Sequence, residues 1–131
     1  MLEFFKEKRV LITGHTGFKG AWLTRILLNA GAVVCGYSLE PPTEPDLFSV
    51  AGLESIQDIR GDVRDLEHLK KIFDDFRPEI VFHLAAQPIV RESYRNPVYT
   101  YETNVIGTVN VLECIRLSRS VRSAVIITTD K

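Results

Sequence analysis

The 131-residue sequence predicts an α/β domain built on a doubly wound parallel sheet of strand order 3-2-1-4-5, and three observations predict it. Five short apolar runs recur along the chain, separated by segments that are helical in period or long enough to cross a sheet. The residues of each run are apolar one after another, as in strands covered on both faces. A glycine-rich loop follows the first run, and right-handed crossovers then fix the order of the strands.

The first run is Arg9 to Thr13, ended abruptly by Gly14. Phe18 to Ala30 is helical in period, with Phe18, Trp22, Ile26 and Leu27 on one side and Gly31 as the stop. Val33 to Tyr37 is the second run. Pro41, Pro42 and Pro45 forbid regular structure after it and make a loop. Ile56 to Ile59 is a weaker third run. Asp65 caps a helix whose Leu66, Leu69, Ile72, Phe73 and Phe76 recur at helical spacing, and Pro78 ends it. The fourth run is Ile80 to Leu84. Asn96-Pro97 reads as a cap followed by a first-turn proline, opening a long helix to about Ser118. Ala124 to Thr128 is the fifth run.

Composition narrows the function classes. Lys and Arg number 16 against 17 Asp and Glu, so no net basic charge draws the chain to nucleic acid or to an anionic membrane. The apolar runs are far too short to span a bilayer, and Met1 to Lys6 has no long apolar stretch of the secretory kind. Cys35 and Cys114, the only cysteines, sit in apolar segments and read as buried thiols of a reducing, cytoplasmic compartment. No metal site is expected.

The chemistry concentrates at run ends. Gly14-His15-Thr16-Gly17-Phe18-Lys19-Gly20 is a G-x-x-G-x-x-G loop between a strand and a helix. Glycines there let the backbone turn tightly and approach a pyrophosphate, which sits at the helix N-terminus. Gly14, Thr16, Gly17, Phe18, Lys19 and Gly20 are therefore the first candidate cofactor contacts. Lys19 either adds charge near the phosphates or is an ordinary solvated lysine, and His15 reads as a loop residue packed beside the cofactor rather than an acid–base group.

The second strand of such a sheet usually ends in an acid that bonds the adenosine ribose. Here Ser38 holds that position and Glu40 follows two residues on. No Lys or Arg occurs between Ile26 and Ile59, whereas Glu40, Glu44, Asp46, Glu54 and Asp58 do. A 2′-phosphate finds no cation in that stretch, unless Arg60 or Arg64 folds back, so NAD is expected over NADP.

Asp62 and Val63 follow the third strand, where a carboxylate can accept from the adenine amino group and an apolar side chain support the ring; alternatively Asp62 only starts the turn before Asp65. Leu84, Ala85, Ala86 and Gln87 close the fourth strand, and small residues there let a nicotinamide ribose lie close to the backbone. His83 reads as a packed strand histidine. In the long helix, Tyr94, Tyr99 and Tyr101 read as core or subunit interface. Thr103 and Asn104 either face the cofactor or are simply helix polar residues. Thr128, Thr129, Asp130 and Lys131 lie at the C-terminal edge of the sheet, where ligands of such folds bind. They are either a solvated strand end or a hydroxyl, carboxyl and amine set for proton transfer.

Taken together, the glycine loop, Gly61-Asp62-Val63, Leu84-Ala85-Ala86 and Thr103-Asn104-Val105-x-Gly107-Thr108 resemble the extended short-chain dehydrogenase/reductase superfamily. Within it, four segments resemble the CDP-glucose 4,6-dehydratase family. They are the full glycine loop, Gly36 to Leu39 with Pro41-Pro42-Thr43, Ala85-Ala86-Gln87-Pro88-x-Val90-Arg91, and Thr128 to Lys131.

The resemblance covers the whole chain but only about the N-terminal third of a family member. It implies that residues 1–131 are the N-terminal part of an NAD-binding Rossmann domain, incomplete at the C-terminus, with the substrate domain absent. It further implies conversion of CDP-glucose to CDP-4-keto-6-deoxyglucose, a precursor of deoxy sugars in bacterial polysaccharides such as O-antigen. Hydride leaves C4, water is eliminated across C5–C6, and hydride returns to C6. By the same resemblance Thr129 holds the 4-hydroxyl and Asp130 protonates the leaving 6-hydroxyl. Lys131 stands where the related dTDP-glucose dehydratases carry a glutamate as C5 base, and a lysine does that work only when partly neutral. Gln87-Pro88-Ile89 also replaces the Glu-Ser-His of those relatives. The superfamily's Tyr-x-x-x-Lys is absent from these residues, so they alone are expected to bind NAD without dehydratase activity, and full-length relatives are homodimers. The alternatives are a sugar-nucleotide epimerase of the same superfamily or a non-catalytic dinucleotide-binding module.

Overall fold

The computed structural model describes residues 2–41, 43–50, 52–53 and 55–128; Thr129, Asp130 and Lys131 lie outside the described residues. After a 3-10 turn at Leu2–Phe5, the strands are β1 (Arg9–Thr13), β2 (Val33–Ser38), β3 (Gln57–Arg60), β4 (Ile80–His83) and β5 (Ser123–Ile126). The helices are α1 (Phe18–Asn29), α2 (Leu47–Val50), α3 (Leu66–Phe76), α4 (Val90–Arg95), α5 (Pro97–Tyr101) and α6 (Gly107–Leu117), with a π turn at Glu102–Ile106 joining the last two. All four strand pairs are parallel, in the predicted order β3-β2-β1-β4-β5. Because the sheet is parallel, the loops after β1, β2, β3 and β4 emerge at one edge.

Alternate residues of the strands feed two cores. Val10, Ile12 and Val34 pack with Ala21 and Leu27 of α1 and Phe48 of α2. On the other face Leu11, Cys35, Tyr37 and Val81 pack with Leu69, Ile72 and Phe73 of α3 and Val111 and Cys114 of α6. Both cysteines are buried free thiols, and burial pushes Cys35 up to about 12. Among the described residues no helix is long and apolar enough to cross a membrane.

The predicted caps form. The Asp65 carboxylate accepts from the His68 amide at 3.1 Å, and Arg77 closes α3 in the left-handed region ahead of Pro78. Asn96 accepts from the Tyr99 amide at 3.3 Å with Pro97 in the first turn of α5. Replacing Asp65 by alanine is expected to cost about 1 kcal/mol, read as a lower urea midpoint, while Asp65→Asn recovers most of it. An unchanged midpoint in Asp65→Ala counts against the cap.

Two helices differ from the sequence pattern. In α1 the side that faces the sheet is Gly20, Ala21, Thr24 and Leu27, whereas Phe18, Trp22 and Ile26 are exposed. Beside the glycine loop the helix approaches too closely for a side chain at Gly20, so its first turns face the sheet with small residues and only Leu27, farther along, fills the core. The long helix expected from Pro97 to Ser118 is interrupted by the π turn and preceded by the separate helix α4. Its buried positions are Thr103, Gly107, Asn110, Val111 and Cys114, and the apolar stripe Val98, Tyr101, Val105 and Val109 faces outward.

Candidate functional site

The glycine loop is built by close approach. Gly14 has φ +78°, and a Cβ on it would sit 2.7 Å from the Ala85 amide nitrogen. A Cβ on Gly20 would run into the Gly14 carbonyl oxygen and come within 2.8 Å of the His15 Cα. Gly17, by contrast, is open apart from an ordinary contact with Gly14 O, so the backbone there is accessible to a ligand. Gly17 is also the N-cap of α1 and supplies no side-chain cap, leaving the helix's first N–H groups and positive dipole end for an anion. Phe18 and Lys19 flank this end, both exposed.

Thr16 ties the loop to the end of β2. Its hydroxyl donates to Leu39 O at 3.0 Å and pairs with the Ser38 hydroxyl at 2.8 Å. His15 is fully buried rather than lining the open loop: its ring stands edge-on to Phe48, packs against Gly36, and pairs through Nε2 with Asp58 at 2.7 Å. Burial lowers its pKa, so the neutral ring prevails, and Asp58 is held below its ordinary value by hydrogen bonds from Arg60 and His15 that outweigh its own desolvation.

At the β3 end the Asp62 carboxylate accepts from the Arg64 amide at 2.9 Å and from its guanidinium at 2.8 and 3.0 Å. Arg64 also reaches Glu102 at 2.9 Å and lies over the Tyr99 ring, stitching this turn to the π turn. Asp62 keeps acceptor capacity beyond these bonds. Beside it Val63 is buried. An open groove of about 520 Å³ here is lined by Asp62, Arg64, Asp65, Glu102 and Ile106.

The β4 end is held by a chain of hydrogen bonds whose direction the single proton of the Thr108 hydroxyl fixes. Thr108 spends its one hydroxyl proton on Asn104 O at 2.7 Å, so at 3.1 Å it accepts from His83 Nε2–H. His83 Nδ1 is then the acceptor for the Thr13 hydroxyl at 2.6 Å, and the Thr13 oxygen accepts the amides of Leu84 and Ala85, both at 3.2 Å. His83 is therefore the neutral Nε2–H tautomer, and burial pushes its pKa down to about 4. Asn104 clamps the same loop from above: its Oδ1 accepts from Gln87 N at 2.7 Å and its Nδ2 donates to Gln87 O at 3.1 Å. Neither Asn104 nor His83 points a free group at a ligand; they shape the Leu84–Gln87 backbone.

Thr103 does the opposite. It is only 6% exposed and its hydroxyl has no protein partner, leaving a buried polar group for a bound molecule to satisfy. That orphaned hydroxyl, the uncapped α1 terminus and the open backbone at Gly17 are the features expected where a dinucleotide is held.

The structure thus brings Gly14, Thr16, Gly17, Phe18, Lys19, Gly20, Ser38, Asp62, Val63, Leu84, Ala85, Ala86 and Gln87 to one sheet edge, with buried Thr103 in the π turn and exposed Thr128 just past β5. Thr129, Asp130 and Lys131 lie outside the described residues. The Thr13–His83–Thr108 chain and the Asn104 clamp were not legible as such. Only the polar Thr13 and His83 that end the apolar runs of β1 and β4 hint at the chain.

Residues 11–130 match the family model described as GDP-mannose 4,6 dehydratase. The chain is 50% identical over 129 residues to the CDP-glucose 4,6-dehydratase of Salmonella typhimurium, an alignment covering 98% of this chain and 36% of that protein. Among solved structures it is similar to the epimerase Mth375 of Methanothermobacter thermautotrophicus, with TM-score 0.82, 31% identity, 98% of this chain and 37% of the other. It is also similar to the Thermus thermophilus UDP-glucose 4-epimerase solved in complex with NAD, with TM-score 0.74, 34% identity, 82% of this chain and 33% of that one. The chain spans about a third of the length of these relatives.

Proposed function

The chain belongs to the GDP-mannose 4,6-dehydratase family, and from that premise we propose that it supplies the NAD-binding part of a CDP-glucose 4,6-dehydratase. The observation that carries the substrate is the 50% identity to the Salmonella enzyme across 98% of the chain, against 31–34% for the epimerases. Bound NAD supplies a reversible two-electron acceptor for the sugar C4–H, and the ketone so formed acidifies C5–H.

The residues divide the work. The Gly14–Gly20 loop and the α1 N-terminus bind the pyrophosphate, and Thr16 and Ser38 shape the adenosine ribose end. Asp62 and Val63 receive the adenine, Thr103 gives its unpaired hydroxyl to the cofactor, and Leu84–Gln87 lie along the nicotinamide ribose, with Thr128 at the far end of the same edge. Thr129 holds the sugar 4-hydroxyl, Asp130 passes a proton to the departing 6-hydroxyl, and Lys131, in its neutral form, takes the C5 proton. The partner molecule is CDP-glucose. The exposed stripe Val98, Tyr101, Val105, Val109 and Leu112 fits a homodimer formed through this helix.

A second reading, epimerisation of a sugar nucleotide, is favoured by the fold likeness to the two epimerases. The test is incubation of the full-length protein with CDP-glucose and NAD, followed by mass spectrometry of the product. Loss of one water and formation of a 4-keto sugar is the expected result. A product of unchanged mass with altered C4 configuration replaces the dehydratase by the epimerase, and NAD binding without turnover of any sugar nucleotide leaves a binding module.

A further inference from the structure

The end of β2 carries Ser38 where dinucleotide folds commonly place an acid, yet a charged group does reach it from the neighbouring strand. Ser38 and Arg60 are partners in the parallel β2–β3 register. The Arg60 guanidinium donates to Glu40 at 2.7 Å and to both oxygens of Asp58 at 3.1 and 3.0 Å, while its plane lies over the Phe48 ring. Asp58 is fixed from its other side by buried, neutral His15 at 2.7 Å. Three donor nitrogens of Arg60 are thus committed to two carboxylates, so the paired groups sum to one negative charge, and the Asp46 carboxylate adds its field nearby.

The position matters because an arginine beside the β2 terminus is what accommodates a 2′-phosphate, whereas hydroxyl-accepting groups there suit an unphosphorylated ribose. This chain holds an arginine at that place and covers it. We propose that Arg60 is the residue that decides between NAD and NADP, and that Glu40 is the counter-charge that withholds it from a 2′-phosphate. Asp58 cannot swing away, since His15 and the strand hold it. Glu40 is on the solvent side, so its pairing with Arg60 contributes little to stability, and its effect is exerted through charge on whatever anion approaches. With Glu40 in place a 2′-phosphate meets paired groups of net negative charge; without it, the Arg60–Asp58 pair is neutral, one edge of the guanidinium is free, and only the field of Asp46 still opposes an anion. The inference rests on the dinucleotide reading of the glycine loop.

The test is calorimetric titration of the protein with NAD and with NADP, comparing the ratio of the two dissociation constants in low salt. Glu40→Gln is expected to shift that ratio toward NADP by about tenfold, an effect that shrinks as ionic strength rises. Adding Arg60→Ala to Glu40→Gln is expected to reverse the shift, and Arg60→Ala alone to move the ratio further toward NAD. An unchanged ratio in Glu40→Gln overturns the proposal, as does a shift that survives the loss of Arg60. If the unaltered protein binds neither dinucleotide, the dinucleotide site itself fails, and the proposal with it; binding of NAD with an unresponsive ratio overturns the proposal alone.

Discussion

Gly20→Ala is expected to lower the stability of the protein by about 3 kcal/mol and to weaken NAD binding by more than tenfold. The added methyl group would occupy the space of the Gly14 carbonyl oxygen and approach the His15 Cα to 2.8 Å, and both are backbone. No side-chain rotation relieves such a contact, so the loop or α1 must shift, and each carries part of the proposed anion-binding N-terminus. Gly17→Ala is the informative control, because a Cβ there meets only Gly14 O at 3.5 Å. It should fold with little loss, yet still impair binding by filling the open approach. Urea unfolding and NAD titration of the two variants separate the effects; a Gly20→Ala protein as stable as the parent would show that α1 and the Gly14 carbonyl have room to part at no cost.

A second large effect is expected in acid. His83 is 2% exposed, sits in a chain of bonds that requires the neutral Nε2–H tautomer, and titrates at about 4 rather than 6.5. Above pH 6.5 the ring is neutral folded or unfolded, and stability does not depend on it. Between 6.5 and 4 the unfolded chain takes up a proton that the folded chain refuses, so stability falls as pH falls, by about 3 kcal/mol once both forms are protonated. His15, lowered by its own burial, adds in the same direction. Asp58 and Asp62 are lowered carboxylates, so their contribution is present at neutral pH and is lost only at more acid values. From pH 7 to pH 5 the loss from His83 alone should be about 2 kcal/mol. His83→Gln should flatten that slope while lowering stability at pH 7, since glutamine cannot complete both bonds. Parallel slopes for His83→Gln and the parent would assign the acid sensitivity elsewhere.

The family and most of the frame were legible because their signals are local. Arg9–Thr13 has the boundaries its apolar run gives, and Asp65 and Asn96-Pro97 cap the helices they precede, since a cap is settled within four residues. The glycine loop announces a dinucleotide for the same reason: spacing alone dictates where the backbone turns and where a helix begins. The outward side of α1 was not legible. Periodicity groups Phe18, Trp22 and Ile26, but it cannot say that the opposite side must fit against a carbonyl of the preceding loop. The helix α4 was missed because Arg91, Glu92, Ser93 and Arg95 carry no apolar period, although all sit in a continuous helical turn.

The sequence by itself determined the strand order, the glycine turn between β1 and α1 and the apolar content of both cores, because apolar runs and glycine spacing act through neighbours in the chain. The tertiary structure alone decided which sides of α1 and α6 are buried, the tautomer of His83, the clamp of Asn104 on Gln87 and the reach of Arg60 to Glu40. Each of these joins groups at least 17 residues apart or depends on two backbones meeting at van der Waals distance. Such distances exist only after the sheet has brought its strands side by side, and no local pattern of residue types encodes them.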